Sequence, residues 1–191
     1  RYLELFSALA LEMLLPTEGA RIAHLGCRTG TPDTELCQRI PRASVYSVDS
    51  SIPAIDLARN KAGATGAMVQ YLQEDALPSS LPDAVFSHVL CLHPVVAPSE
   101  RGVLFAEAAR LLYSGGQVLV GLPLRGSFQE LADLLREYAL KHDVGELGRA
   151  VEEGMQNLPT LETLSEELEV FELEDINAEF PTADVAFVIG A

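Results

Sequence analysis

Positive charge is scarce in this chain. Against 28 Asp plus Glu stand 13 Lys plus Arg, and the formal net charge of −15 repels phosphate backbones and anionic lipid headgroups. No run of Lys or Arg makes a local basic patch, so neither nucleic acid nor a membrane surface is an expected partner. Cysteine is sparse as well: Cys27, Cys37 and Cys91 are odd in number, lack metal-ligand spacing and are too few for a disulfide scaffold. That usage fits a reducing, cytoplasmic compartment. No uninterrupted apolar stretch reaches the roughly 20 residues of a membrane span. Glu4 and Glu12 break up the leucines of the first turns, so neither a signal peptide nor an anchor is expected. Several motifs of site chemistry are missing too. His24, His88, His93 and His142 are scattered, with no HxxxH or CxxC spacing to gather a metal. The phosphate-loop pattern GxxxxGK followed by Ser or Thr is absent, and so is the GxSxG elbow of a serine hydrolase.

What is present is an ordinary globular composition, 48% hydrophobic and 21% charged, in a chain of 191 residues. That length suits about one domain with a sizeable core. Short apolar runs bounded by turn residues predict strands at 21–25, 44–48, 67–72, 84–92 and 117–122. Between them, helical signals fall at 32–40, 52–62 and 99–112, the first with Pro32 at its opening turn and Asp33 and Glu35 at the positive end of its dipole. Alternation of this kind predicts an α/β fold, a mostly parallel sheet covered by helices on both faces, with ligands at the carboxyl ends of the strands. Beyond it, helices are expected from Ser127 to about His142, over 145–157, and after Pro159 and Thr160. Residues 168–180 and 184–189 read as two strands joined in an antiparallel hairpin at the sheet edge, which brings the expected total to seven. The acidic run 162–174 reads as a solvated helix and edge strand. No repeat, low-complexity segment or linker divides the chain, so a single domain over 1–191 is expected. It comprises an N-terminal helix over 1–18, a core over 20–122, and helices with the hairpin over 123–191.

The informative segment is Ile22-Ala23-His24-Leu25-Gly26-Cys27-Arg28-Thr29-Gly30, a strand that ends in a glycine turn and opens a helix. Glycines there permit positive φ and close approach of backbone N–H groups to a ligand. Of a GxGxxG dinucleotide fingerprint only Gly26 is matched, since Arg28 and Thr31 occupy the other glycine positions, so a nicotinamide dinucleotide is disfavoured. Of GxGxG, Gly26 and Gly30 are matched, and here the chain resembles the class I S-adenosylmethionine-dependent methyltransferases. Asp49 closes the second strand, with Ser50 and Ser51 after it and Ala58-Arg59 further on, which resembles the family's second motif. A carboxylate there accepts hydrogen bonds from the two ribose hydroxyls of an adenosine. Gln73-Glu74-Asp75-Ala76-Leu77-Pro78 looks like the family's adenine-binding turn, and Ala109 to Val120 like its later helix, glycine turn and fifth strand.

The resemblance implies a seven-stranded Rossmann-like fold, S-adenosylmethionine as cofactor and S-adenosylhomocysteine as product. The implied cofactor contacts are His24, Gly26, Cys27, Arg28, Gly30, Asp49, Ser50, Asp75, Ala76 and Leu77. Two positions depart from the family pattern. His24 stands where an acidic residue usually helps to hold the cofactor's ammonium, and Arg28 stands at the middle glycine. Arg28 has four readings: obstructing the pocket, turning outward, taking the cofactor's carboxylate in a two-bond fork, or closing an ion pair with Asp33, Asp49 or Asp75. His93, at the end of the fourth strand, is the candidate base for a hydroxyl or ammonium acceptor, or else a strand-end histidine bonded to a loop carbonyl. His88 reads as a packed core histidine, and Cys27 as a reactive thiol or a small residue at a tight turn. A compact acceptor is expected near His93, Pro94, Leu122, Pro123 and Arg125, with Tyr2, Phe6 and 145–157 as a lid. Two functions follow: methyl transfer to a small-molecule acceptor, or a module that no longer catalyses and instead senses the cofactor or binds a protein partner. The sequence leaves the oligomeric state open.

Overall fold

A computed structural model describes residues 7–8, 10–15, 17–92, 98–173 and 185–190. Its strands are β1 (Arg21–Leu25), β2 (Ser44–Asp49), β3 (Val69–Gln73), β4 (Phe86–Cys91), β5 (Leu112–Pro123) and β6 (Val185–Gly190). Its helices are α1 (Asp33–Arg39), α2 (Ile52–Thr65), α3 (Pro98–Leu111), α4 (Gln129–Lys141), α5 (Gly145–Gln156) and α6 (Leu161–Glu169). The sheet order is β3-β2-β1-β4-β5-β6, parallel through β5 and antiparallel only at β6. The sequence-based elements from β1 to α5 match within a few residues, because each is signalled by local periodicity and turn chemistry.

Side chains of the parallel strands divide the core by alternation. Ile22 of β1 faces Leu36 and Ile40 of the α1 region together with Leu11 and Leu14. Ala23 and Leu25 point the other way, toward Leu104, Phe105 and Ala108 of α3 and Leu164 and Leu168 of α6. The helix α2 lays Ile55, Ala58 and Ala62 on Tyr71 of β3 and on Cys27. Its start is fixed by Ser51, whose hydroxyl accepts from the Ala54 N–H at 3.4 Å.

The C-terminal expectation needs correction. Residues 168 and 169 finish α6 instead of opening a strand, since Leu164 and Leu168, four apart, both insert fully into the core beneath α3. Residues 170–172 of that expected strand are turns and Leu173 is in no strand, with the Phe171 N–H bonded back to the Leu168 carbonyl and the Glu172 N–H to the Glu169 carbonyl, and residues 174–184 lie outside the described residues. The final strand pairs antiparallel with β5, from Val118↔Gly190 to Pro123↔Val185, so six strands form the sheet among the described residues rather than seven. β5 also begins earlier than expected. Its register against β4 jumps from Phe86↔Leu112 to His88↔Gln117, so the glycine turn loops out before continuous pairing resumes at Gln117.

Buried polar groups tie the layers together. Arg101 of α3 grips Glu167 of α6 through two hydrogen bonds of 2.9 and 2.7 Å. Burial pushes the Glu107 carboxyl up, but hydrogen bonds from Arg110 and Ser79 outweigh that and hold it below the ordinary carboxylate value. At the opposite end of the sheet His88, 2% exposed, bridges Ser87 Oγ (2.8 Å) and the Leu15 carbonyl (3.0 Å). Gln117 holds the same segment, donating to the Met13 carbonyl and accepting from the Leu15 N–H.

Burial lowers the pKa of His88 from its ordinary 6.5, against a smaller upward pull from the Leu15 carbonyl. The unfolded chain therefore takes up this proton first as pH falls. Its contribution to stability is complete above about pH 6.5 and drains away as pH falls through the folded value. Urea titrations at pH 7.5 and 5.5 should show a larger loss for the native chain than for His88→Gln; equal losses would remove His88 as the cause.

Candidate functional site

Going outward from the middle of the sheet, the chain runs β1-β2-β3 in one direction and β4-β5 in the other, so the order reverses between β1 and β4. In an open parallel sheet this is where a crevice opens at the carboxyl ends of the strands. Gly26 to Gly30 lie at that edge, immediately after β1. Three residues of the turn have positive φ: Gly26 at 64°, Arg28 at 51° and Gly30 at 60°. Arg28 thus adopts the left-handed backbone that its position demands in spite of its Cβ.

Asp49, at the end of β2, fixes this turn to its neighbour. Its Oδ2 accepts the Arg28 N–H at 2.7 Å and its Oδ1 accepts the Ser51 N–H at 2.8 Å. A carboxylate has about four acceptor directions, so each oxygen keeps one for a ligand hydroxyl. The Asp49 carbonyl also accepts the Glu74 N–H (3.0 Å), which joins the loop after β3 to the same edge. In that loop Asp75 is exposed, and the Gln73 amide donates to it at 2.6 Å. Ser50, Asp75 and Ala76 are exposed, Leu77 is half-buried, and all follow strand ends on this side.

His24 and Cys27 lie beneath the surface of the turn. The His24 ring, 3% exposed, meets the Asp33 carboxylate through Nδ1 at 2.6 Å, and Ser47 Oγ donates to the other oxygen at 2.8 Å. Asp33 is fully buried, so the negative charge missing at position 24 is supplied from the first turn of α1 and spent on His24 and Ser47. The Cys27 thiol is buried, and burial, reinforced by Asp33 and Asp49, pushes its pKa up, away from a reactive thiolate. Tyr71 also reaches this cluster. Its hydroxyl is buried beside Asp33 and has no partner in full hydrogen-bond geometry among the described residues, and burial together with Asp33 pushes the phenol up.

Asp33, Ser47 and Tyr71 are the residues that sequence reasoning missed. The available signal was a polar pair in otherwise apolar strands: His24 and Ser47 stand in register on neighbouring parallel strands, which demands a buried partner for both. The ion pair foreseen for Arg28 has other donors in its place. Asp33 takes His24 and Ser47, Asp49 takes two backbone amides, and Asp75 takes Gln73. The Arg28 side chain is exposed, and its charge acts on Cys91 at the end of β4.

The expected acceptor region is only partly described. Tyr2, Phe6, His93 and Pro94 lie outside the described residues. Leu122 is packed in the core at 3% exposure, Pro123 is half-buried and Arg125 is exposed, its N–H bonded to the Pro159 carbonyl at 2.8 Å. The expected lid helix, now α5, packs against α4, where Arg136 pairs with Glu152. All three cysteines are free, and no cluster of metal-binding side chains occurs among the described residues. None of their helices is long and apolar enough to cross a membrane.

Residues 22–116, which contain the glycine turn, Asp49 and Asp75, match the family model of a methyltransferase domain. The chain belongs to the class I S-adenosylmethionine-dependent methyltransferases. A demethylmenaquinone methyltransferase of Thermus thermophilus is 32% identical over 111 residues, which are 58% of this chain and 50% of that protein. The chain thus spans about half the length of this curated relative. Among solved structures, the PH0226 protein of Pyrococcus horikoshii superposes with a TM-score of 0.73 at 16% identity, over 99% of this chain and 88% of that one. The cyclase SpnF superposes with a TM-score of 0.68 at 20% identity, over 91% of this chain and 58% of its own. The methyltransferase family's cofactor is S-adenosylmethionine, and the donor set at this sheet edge fits its adenosine half: spare acceptor directions on Asp49 and an exposed carboxylate at Asp75.

Proposed function

We propose that this domain binds S-adenosylmethionine across the β1, β2 and β3 ends and transfers its methyl group to a small-molecule acceptor. The observation that carries the reading is Asp49, whose two oxygens are each fixed by one backbone amide and each keep one direction for a ribose hydroxyl. Asp75 would take the adenine amino group, the Ala76 amide would meet the ring, and the glycine turn would lie along the rest of the cofactor. The bound cofactor supplies an activated methyl group on a sulfonium, a good leaving group. The chain's own task is then chiefly to hold acceptor and methyl in line and to exclude water. Where the acceptor is a hydroxyl or ammonium, His93, two positions after Cys91 in the sequence and outside the described residues, is the base we assign. The curated relative named for demethylmenaquinone makes a ring of that kind the first acceptor to try.

A second reading, an adenosyl-binding module without catalysis, is favoured by Arg28 at the position of the middle glycine. The likeness to a cyclase fits that reading too, since one fold hosts several reactions. Calorimetric titration with S-adenosylmethionine, followed by an assay of S-adenosylhomocysteine release with acceptor present, separates the readings. Micromolar binding with release is expected. Binding without release across an acceptor panel favours the second reading. No heat and no thermal stabilisation at millimolar ligand would overturn both.

A further inference from the structure

We infer that the hairpin of α4 and α5 is a self-association surface, on which two copies of this chain pack about a two-fold axis beside Leu134 as an antiparallel four-helix bundle. These helices bury little within their own chain. In α4 Ala132 and Ala139 are buried, and α5 has no buried residue, although Leu147, Val151 and Met155 recur on one of its faces. Among the described residues, α5 packs against α4.

The uncovered part has the shape of a ridge beside a groove. Leu131, Leu134 and Tyr138, spaced i, i+3 and i+7, form one stripe of α4 and are 54%, 64% and 53% exposed. Near the tip the helices come close: a Cβ at Gly148 would stand 3.8 Å from that of Ala139, and Arg136 holds Glu152 at 2.6 Å. Toward the base they leave an open apolar groove of about 350 Å³, between Leu131 and Leu135 of α4 and Ala150, Val151, Gly154 and Met155 of α5. A two-fold contact needs a self-complementary surface, and here each copy can lay its ridge in the other's groove. The area suffices. With Phe128 and each ridge side chain showing on the order of 100 Å², the patch amounts to about 500 Å² per copy, and a pair reaches the roughly 1,000 Å² of a specific interface.

Charge selects the same occupant. An anionic lipid surface is repelled by the net charge of −15 and by Glu130, Asp133 and Glu137 on α4 itself. In an antiparallel pair, Glu130 in the first turn of α4 comes within side-chain reach of Lys141 in the last turn of the second copy's helix. Glu137 stands on the same flank and offsets part of that attraction. With an interface at the small end of the range, the dissociation constant should be on the order of 10 μM.

The test is sedimentation equilibrium of the purified chain from about 1 to 200 μM at constant ionic strength, where the mass should rise from 20.6 kDa toward twice that value. Leu134 stands next to its own counterpart across the axis. Leu134→Glu and Leu134→Lys should therefore each weaken association by at least about thirtyfold, by setting like charges face to face. An equimolar mixture of the two should regain about tenfold, because opposite charges then meet. Both variants should keep the native circular dichroism, since Leu134 is exposed in the single chain, and Tyr138→Glu serves as a second disruption. A mass of 20.6 kDa at every concentration overturns the proposal, and sedimentation of that monomer with phosphatidylcholine vesicles would give the face to a lipid surface instead. A dimer that Leu134→Glu and Tyr138→Glu leave unchanged, or a mixture no tighter than its components, also overturns it.

Discussion

Asp49→Asn should weaken S-adenosylhomocysteine binding by about a hundredfold, near 2.7 kcal/mol, while the domain remains folded. The native carboxylate accepts one backbone N–H on each oxygen, from Arg28 at 2.7 Å and from Ser51 at 2.8 Å, and keeps one direction per oxygen for ribose. Hydrogen bonds to an ionised acceptor contribute about 1.5–3 kcal/mol each, roughly twice their neutral counterparts. An amide keeps a single accepting oxygen, so one ribose hydroxyl loses its partner and the other keeps only a neutral one. The amide NH2 also faces a backbone donor and cannot satisfy it. That mismatch should cost about 1–2 kcal/mol of stability, because the turn after β1 is held to β2 through this side chain. Calorimetry reads the first effect and urea unfolding the second. Affinity within threefold of the native chain would remove Asp49 from the ribose site.

Gly30→Ala should be the most damaging single methyl addition in the turn. A Cβ at Gly30 would sit 2.6 Å from Tyr71 Oη and 3.0 Å from both Ala58 Cβ and Asp33 Oδ2, on a backbone with φ of 60°. Left-handed backbone costs an alanine about 1–2 kcal/mol, and overpacking a filled site typically adds about 1–3 kcal/mol. A loss near 3 kcal/mol lowers Tm by about 6–12 °C in a domain of this size. Gly26→Ala is the internal control. Its φ is 64°, but among the described residues nothing lies within 4 Å of the added methyl, so the backbone cost of about 1–2 kcal/mol is the one expected. The second arm is Tyr71→Phe, which removes the atom met at 2.6 Å. Because that hydroxyl is buried with no partner in full hydrogen-bond geometry among the described residues, its loss should cost little by itself and should relieve part of the Gly30→Ala defect in the double variant. Equal melting temperatures for Gly26→Ala and Gly30→Ala would contradict this account of the turn.

Much of this arrangement is legible along the chain, because its causes are local. Apolar runs closed by turn residues located β1 to β5, and the repeated strand-helix alternation required parallel pairing. Gly26, Gly30, Asp49 and Asp75 were identifiable because turn chemistry and strand-end carboxylates depend on residues a few positions apart. His88 was readable as a core histidine from its place inside an apolar strand, and its burial at 2% exposure agrees.

The tertiary structure decided what depends on crossovers and register. Residues 168 and 169 could extend a strand or end a helix by pattern alone, and the core space that Leu164 and Leu168 fill beneath α3 chose the helix. The last strand joined β5 because an edge there was open to antiparallel pairing, a choice made by sheet order. His24, Asp33, Ser47 and Tyr71 come from four separate elements and meet only once β1, β2 and β3 are in register, so no spacing announces them. The sequence by itself determined which chemical groups stand at the strand ends. Which of them stay exposed at the sheet edge, and which are consumed by one another beneath the turn, was decided by the packing of α1 and α2 on the sheet. Burial removes water as a partner, so each buried polar group must bond whatever the fold brings within reach.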